Sequence, residues 1–317
     1  MRSYIVLVNY NGYKDSIECL ESLLPQLGEQ SRVVLVDNGS TDGSLPYLIN
    51  WAEDNGKKYA FFDEKLLPDS GFHSLPEITL IKSDTNGGFA AGNNIALKWI
   101  LNDKEWQWVW LLNNDTIVPP ETIDRLFEAA ALFEPRVGIA GTRIFNYYNR
   151  NVLESIGGKY NRRWATTRFI AAGETDYLYS KERFRKEVDY VQGASMLVKH
   201  QFLEEVGLME ERYFLYFEEL DWITRGKRKG WIIDLADKVS IYHKGGSAIS
   251  GMGSSSLLAD ICSLVNRARF TGKFYPQYLL FVYLSFLLVL FNRLRRNQGN
   301  RIPLLLKAMV TLKIPRK

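Results

Sequence analysis

Short apolar runs alternate with polar loops and amphipathic segments through the first 133 residues. Residues 3–8, 32–36, 78–81 and 106–112 are apolar and read as buried strands. Each is followed by a polar loop and then by residues at helical spacing. Ile17, Leu20, Leu23 and Leu24 show that spacing after the first loop, and comparable segments start near Leu45, Ala90 and Glu121. Strand, polar loop and helix in four successive rounds predict an α/β fold with a mostly parallel sheet between helices. Residues 59–77, with Pro68 and Pro76, break the rhythm and are expected to be irregular. After Phe133 the pattern loosens. Residues 137–140, 152–158, 188–198, 231–235 and 239–242 read as further strands, and 161–185, rich in Arg, Lys and Tyr, as a loop near a site.

In a parallel sheet, loops that follow strands collect along one edge, where open α/β sheets bind ligands. Here those loops are Asn9-Tyr10-Asn11-Gly12, residues 37–44, residues 84–89 and Asn113-Asn114-Asp115. The last ends the apolar run 106–112 and precedes Pro119-Pro120, which opens a helical segment at no cost in hydrogen bonds. Asp115 is thus a candidate metal ligand or phosphate-site acid, against the local alternative of an Asx turn. Four clusters of Asn, Asp and Gly at one edge favour a nucleotide site. No G-x-G-x-x-G follows the first strand, and no G-x-x-x-x-G-K-[ST] occurs, so dinucleotide and P-loop sites are unsupported. A calcium loop starting at Asp37 fails because Gly39, Asp42 and Leu48 fall at its third, sixth and twelfth positions. Downstream, Gly193-Ala194 interrupts a strand-like run, which points to close approach of a ligand or backbone. Glu218, Glu219 and Asp221 lie beside an aromatic cluster that includes Trp222.

Charge adds a second theme. Residues from Ile261 onward hold eleven Lys and Arg and no Asp or Glu, so the total of +4 less these eleven leaves residues 1–260 at −7. A basic tail fits a polyanion, and its neighbours favour an anionic membrane over nucleic acid. Residues 278–291 are uncharged and run straight into Arg293, Arg295 and Arg296. Fourteen residues fall short of the roughly 20 needed to span a bilayer. They suit an interfacial helix, or equally a helix packed on the protein's own core. Cys19 and Cys262 form no framework and no zinc spacing, consistent with a reducing compartment. The apolar run before Asn9 is too short for a signal peptide, so a cytoplasmic location is expected.

With these residues in hand the chain resembles the family 2 glycosyltransferases, and within them the rhamnosyltransferase-like branch. Six segments carry the resemblance in the family's order over about residues 3–250: 6–12, 36–44, 86–94, 111–116, 217–222 and 243–247. It implies a single GT-A domain over 1–255, leaving 256–317 as a basic, apolar helical extension. It also implies a nucleotide-sugar pocket built from Asn9, Tyr10, Asn11, Asp37, Asn86, Gly88, Asn93, Asn113, Asn114 and Asp115. Asp37 would read the pyrimidine. Asn113-Asn114-Asp115 takes the D-x-D position with its first acid replaced, so Asn113 becomes a hydrogen-bonding partner and Asp115 the carboxylate ligand. His243 matches a second metal contact, and magnesium or manganese is the expected cation. Gly193, Ala194 and Trp222 would shape the sugar pocket. Glu219 stands where the family usually has the aspartate base, with Glu218 and Asp221 as alternates.

The resulting expectation is an inverting, metal-dependent transfer from a dTDP- or UDP-sugar, rhamnose or similar, to a growing glycan. The acceptor would be lipid-linked and met at the cytoplasmic membrane face. The competing reading is a non-catalytic, membrane-peripheral module that binds nucleotide-sugar within a glycan assembly complex. A sugar-phosphate nucleotidyltransferase would need a basic glycine-rich loop after the first strand, where Asn9-Tyr10-Asn11-Gly12 stands.

Overall fold

Alternate residues of the first strand enter different cores: Tyr4 and Val6 face one layer, Ile5 and Leu7 the other, and all four are fully buried. This is the pattern of a strand covered on both faces. The computed structural model describes residues 2–175, 181–245 and 257–314. Gly246 and Ser247 of the last family segment, and the expected boundary at 255/256, lie outside the described residues.

Four strands, β1 (Arg2–Asn9), β2 (Ser31–Asn38), β4 (Ile78–Ser83) and β5 (Trp106–Asn113), run parallel in the order β4-β2-β1-β5. The helices α1 (Tyr13–Leu23), α2 (Ser44–Asp54) and α3 (Phe89–Ile100) connect them, so the four polar loops share one edge as the pattern predicts. The expectation for 59–77 needs correction. Residues Tyr59–Asp63 form strand β3, parallel to β4. It is an edge strand, only half-buried, so it lacks the apolar run that marks its neighbours.

Beyond β5 the sheet becomes mixed. Strand β11 (Ser195–Lys199) runs antiparallel between β5 and β7 (Val137–Asn146), so only the end of the expected 188–198 run is extended. Two expected strands fuse into β12 (Ile232–His243), parallel to β7, with a register shift between Ala236 and Ser240. The two-residue β6 (Thr116–Ile117) pairs with the end of β12 and brings His243 opposite Thr116. Helix α4 (Thr122–Ala131) follows the double proline. The expected loop 161–185 contains strand β10 (Thr166–Phe169), paired with β9 (Gly158–Asn161), and helix α5 (Lys181–Glu187). Strand β8 (Leu153–Ser155) pairs with β7. Helices α6 (His200–Val206) and α7 (Glu218–Arg228) precede β12.

Helix α8 (Leu257–Phe274) is buried along most of its length and belongs to the same core as Tyr4 and Val6. Its Asn266 side-chain amide donates to the carbonyls of Tyr213, Leu215 and Tyr216 at 2.7, 2.8 and 3.0 Å. The loop that leads into α7 is therefore held from the C-terminal segment. Helices α9 (Leu279–Arg295) and α10 (Ile302–Thr311) lie on α8. Helix α9 buries Val282 and Phe286 yet exposes Leu280, Leu284, Leu287, Leu288 and Phe291. One face of the 278–291 segment packs on the protein's own core, as one of the two expectations has it, and the other face is open. Including the preceding turn, Pro276–Arg295 is long and apolar enough to cross a membrane, with a mean hydropathy of 1.6.

Candidate active site

The ends of β1, β2 and β5 open into a cleft of about 320 Å³. From the parallel half it is lined by Tyr10, Asn38, Asn86, Gly88, Asn93, Asn113, Asn114 and Asp115, and from the other half by Gln192, Gly193, Ala194, Glu218, Glu219 and His243. Most of the sequence-predicted residues are thus brought together. Five are not. Asn9 and Asp37 face each other in the β1–β2 register, and Asn9 Nδ2 donates to Asp37 Oδ1 at 2.7 Å. Ser40 Oγ also donates to that carboxylate, at 2.6 Å, and Asp37 is only 3% exposed. Asn11 accepts from Thr41 N at 2.8 Å, bracing the same pair of loops. Asn9 and Asp37 thus brace the two strand ends from within, and the exposed Asn11 ties their loops together at the surface.

Asp221 and Trp222 also turn away from the cleft. Asp221 is fully buried and accepts from Tyr213 Oη, Arg225 Nε and Lys273 Nζ at 2.9, 2.7 and 2.5 Å. With both oxygens taken by these donors and no exposed surface, it is not placed to receive an acceptor's proton. Trp222 is fully buried, packs edge-on against Phe202 and donates to Gly207 O at 2.6 Å. It fills the core between α6 and α7, so no sugar reaches it.

Two donors for a cation meet at the cleft floor. Asp115 Oδ1 lies 3.3 Å from His243 Nε2. Adjacent corners of an octahedron with bonds near 2.1 Å are about 3 Å apart, so one hard cation fits both side chains. Glu154 sits behind the ring, 3.0 Å from Nδ1, and Gln192 Nε2 donates to Glu154 at 2.7 Å. A carboxylate on the far nitrogen fixes the ring's orientation, as around most metal-binding histidines. Burial disfavours a charged His243 ring, but hydrogen bonds to Asp115 and Glu154 outweigh this and lift its pKa to about 10. Among the described residues no three His, Cys, Asp or Glu side chains gather as a metal cluster. The remaining coordination positions would fall to donor phosphate oxygens and water, the usual division for magnesium. Replacing Glu154 with Gln is expected to weaken manganese binding about 10–100-fold, read by the paramagnetic signal of free manganese in a titration without donor.

Glu218 and Glu219 open α7 after a contorted loop, in which Phe214, Tyr216 and Phe217 all have left-handed φ of 60°, 69° and 76°. Such residues persist only where surrounding structure over-determines them. Here Phe89 N donates to Phe214 O at 2.9 Å, and Asn266 grips the other side. Gly88 makes the first contact possible: its φ is +89°, and a Cβ there would lie 2.2 Å from Phe214 O. Gly88→Ala is expected to destabilise the fold by more than about 1 kcal/mol and to lower donor affinity, measurable by denaturant unfolding and calorimetry. One carboxylate oxygen on each of Glu218 and Glu219 is buried without a hydrogen-bond partner among the described residues. Burial pushes Glu219 up to about 7, against the opposing effect of backbone N–H groups including that of Gly193. Burial, then the charge of Glu219, drives Glu218 well above the carboxylate range. A buried carboxyl poised near neutrality in a cleft is what a general base requires.

Sequence reasoning missed Glu154, Gln192, Asn38 and Asn266. Gln192 stood beside the glycine already singled out. Asn38 followed Asp37, and its amide donates to Asn86 Oδ1 and Gly88 O, each at 3.1 Å. Glu154 and Asn266 act through contacts far away in sequence and have no local signal.

Residues 4–178 match the family described as Glycosyl transferase family 2. A low-salt glycan biosynthesis hexosyltransferase of Haloferax volcanii is 25% identical over 239 residues, covering 75% of this chain and 66% of that protein. An N-acetylglucosaminyl-diphospho-decaprenol L-rhamnosyltransferase of Mycobacterium tuberculosis is 25% identical over 256 residues, 75% of each chain. This chain thus spans about two thirds to three quarters of these relatives. The solved structure of GalNAc-T7 with UDP, GalNAc and Mn2+ shares the fold at a TM-score of 0.62 and 15% identity, covering 89% of this chain and 50% of that one. With that GT-A architecture and a match over more than half its length, the chain belongs to glycosyl transferase family 2.

Proposed function

We propose that this protein is an inverting, metal-dependent glycosyltransferase that moves a sugar, rhamnose or similar, from a dTDP- or UDP-sugar to a lipid-linked glycan acceptor. The observation that carries this reading is the placement of Glu219 in the same cleft as the Asp115–His243 pair. In it the nucleoside lies along Tyr10, Asn38 and Asn86, and the diphosphate extends toward Asp115. A divalent cation held by Asp115 and His243 would offset the charge that builds on the departing diphosphate. Glu219 takes the proton of the acceptor hydroxyl as that oxygen attacks the anomeric carbon from the face opposite the leaving group. Attack from that side inverts the configuration. Asn113, 3.4 Å from His243 Nε2, holds the donor by hydrogen bonding where an acid would otherwise stand.

The mycobacterial relative, by its name, acts on a diphospho-decaprenol acceptor. That name and the exposed apolar face of α9 support a lipid-linked acceptor, met at the cytoplasmic face of the membrane, with 1–255 as the transferase domain and 256–317 as its membrane-associating extension. Titrating the chain with UDP- and dTDP-sugars, with and without manganese, and then assaying transfer separates this reading from a binding-only module. Affinity without transfer or donor hydrolysis would favour the module.

A further inference from the structure

The hairpin of β9 and β10 carries positive charge that the sugar-transfer reading leaves unused. Lys159, Arg162, Arg163 and Arg168 line one groove of about 710 Å³ together with Tyr278 and Phe281. No ion pair to a carboxylate joins any of the four among the described residues. Aromatic rings support two of them: the Arg162 guanidinium lies 5.1 Å from the Tyr275 ring centre, and that of Arg163 lies 4.2 Å from Phe281. Rings hold a guanidinium plane in position without neutralising it. Lys159 and Arg168 stand directly opposite each other in the hairpin register. Like charges in that position weaken a strand pair, so this arrangement serves the hairpin poorly and an anion well.

The groove lies between two surfaces already described. On one side, Trp164 at the hairpin tip packs edge-on against Phe281 at 5.7 Å and remains 38% exposed. From there the open stripe Leu280, Leu284, Leu287 and Leu288 runs along α9. Tryptophan beside arginine and a leucine face is the composition of a membrane interface. On the other side, Phe169 adjoins Arg168 in sequence and lines the cleft that contains Glu219. The apolar stripe therefore adjoins the cationic groove, and the strand that carries Arg168 reaches the cleft through Phe169 on its opposite face.

We infer that the groove of Lys159, Arg162, Arg163 and Arg168 binds the phosphate or diphosphate of a lipid-linked acceptor. The acceptor's tail lies on α9 and its sugar end reaches the cleft. The inference rests on the transferase reading for its direction, since that reading supplies the acceptor. Guanidinium forks bind phosphate oxygens in pairs, and neutral partners would leave the four cations uncompensated.

The test uses the full chain and the variant Arg162→Gln/Arg163→Gln/Arg168→Gln in flotation with three vesicle types. These are phosphatidylcholine alone, phosphatidylcholine with phosphatidylglycerol, and phosphatidylcholine with a long-chain isoprenyl diphosphate at equal surface charge. The parent chain should prefer the isoprenyl diphosphate vesicles. The variant should lose that preference on the order of a hundredfold, at roughly fivefold per surface cation. Binding to neutral vesicles and nucleotide-sugar affinity should be unchanged, which shows that the variant is folded. Replacing the same arginines with lysine should retain most of the preference. A variant that keeps the preference, or a parent chain that binds both anionic vesicles alike, would overturn the inference. So would inorganic pyrophosphate binding as tightly as the lipid, which would assign the groove to a soluble anion. The two readings fail separately: absent sugar transfer with an intact, groove-dependent preference counts against the transferase and for the groove.

Discussion

Glu219→Gln should reduce sugar transfer by about 10²–10⁴-fold while donor affinity, measured by calorimetry, stays as in the parent chain. The amide keeps the shape of the carboxyl and its contact with the Gly193 backbone, so the loss reports the missing base and not a collapsed loop. The pH profile gives an independent reading. Glu219 must be deprotonated to accept a proton, and its pKa is pushed up to about 7 by burial, against an ordinary value near 4.3. Activity should therefore fall as pH drops below about 7, in a range where an exposed carboxylate would still be fully ionised. Among the described residues, the groups whose titration couples to its charge are Glu218 on the same helix and the phenols of Tyr190 and Tyr216, themselves raised chiefly by burial. None of the three supplies a positive charge that would pull the profile back toward pH 4. Replacing Asp221, the alternate base, should instead reduce stability, because Arg225 and Lys273 would lose their buried partner.

Asp115→Ala should remove manganese-dependent donor binding, by at least about the 10–100-fold range that outer-shell partners command. Asp115 is 5% exposed, at the end of β5, with its main-chain carbonyl accepting from Lys244 N at 3.0 Å. The position is thus fixed by the β5–β6–β12 corner, and truncation to alanine changes the donor set with little effect on the backbone. The comparison that matters is donor affinity with and without manganese. In the parent chain the metal should strengthen binding, and in Asp115→Ala the two titrations should coincide. His243→Ala should fall between them, because it removes the imidazole and leaves the carboxylate.

Much of this site was legible in sequence because its parallel half is built from consecutive elements. A strand that ends in Asn, Asp or Gly and continues as a helix sets its loop at one sheet edge whatever the rest of the chain does, so Asn86, Asn113 and Asp115 could be placed from periodicity. The second half is assembled from distant pieces, and there sequence order conveys proximity but not depth. Trp222 is four residues after Glu218 on the same helix, yet it lies deeper along the helix, buried against Phe202. Asn9 and Asp37 end neighbouring strands, so their first partners are each other. Glu154 is 89 residues from His243 and lies within the expected strand 152–158, but nothing local to it marks so distant a partner. Asp237 and Lys238 interrupt the apolar run of β12 where its register shifts, so the pattern predicts two strands where there is one.

The most direct test of the central claim is a transfer assay on the full chain with a dTDP- or UDP-sugar and a polyprenyl-diphosphate-linked acceptor, with the anomeric configuration of the product read by proton NMR. The expected product has inverted configuration, forms with manganese or magnesium, stops forming on chelation, and is absent from Asp115→Ala and Glu219→Gln. A product of retained configuration, or inverted product formed equally well by Glu219→Gln, would contradict it.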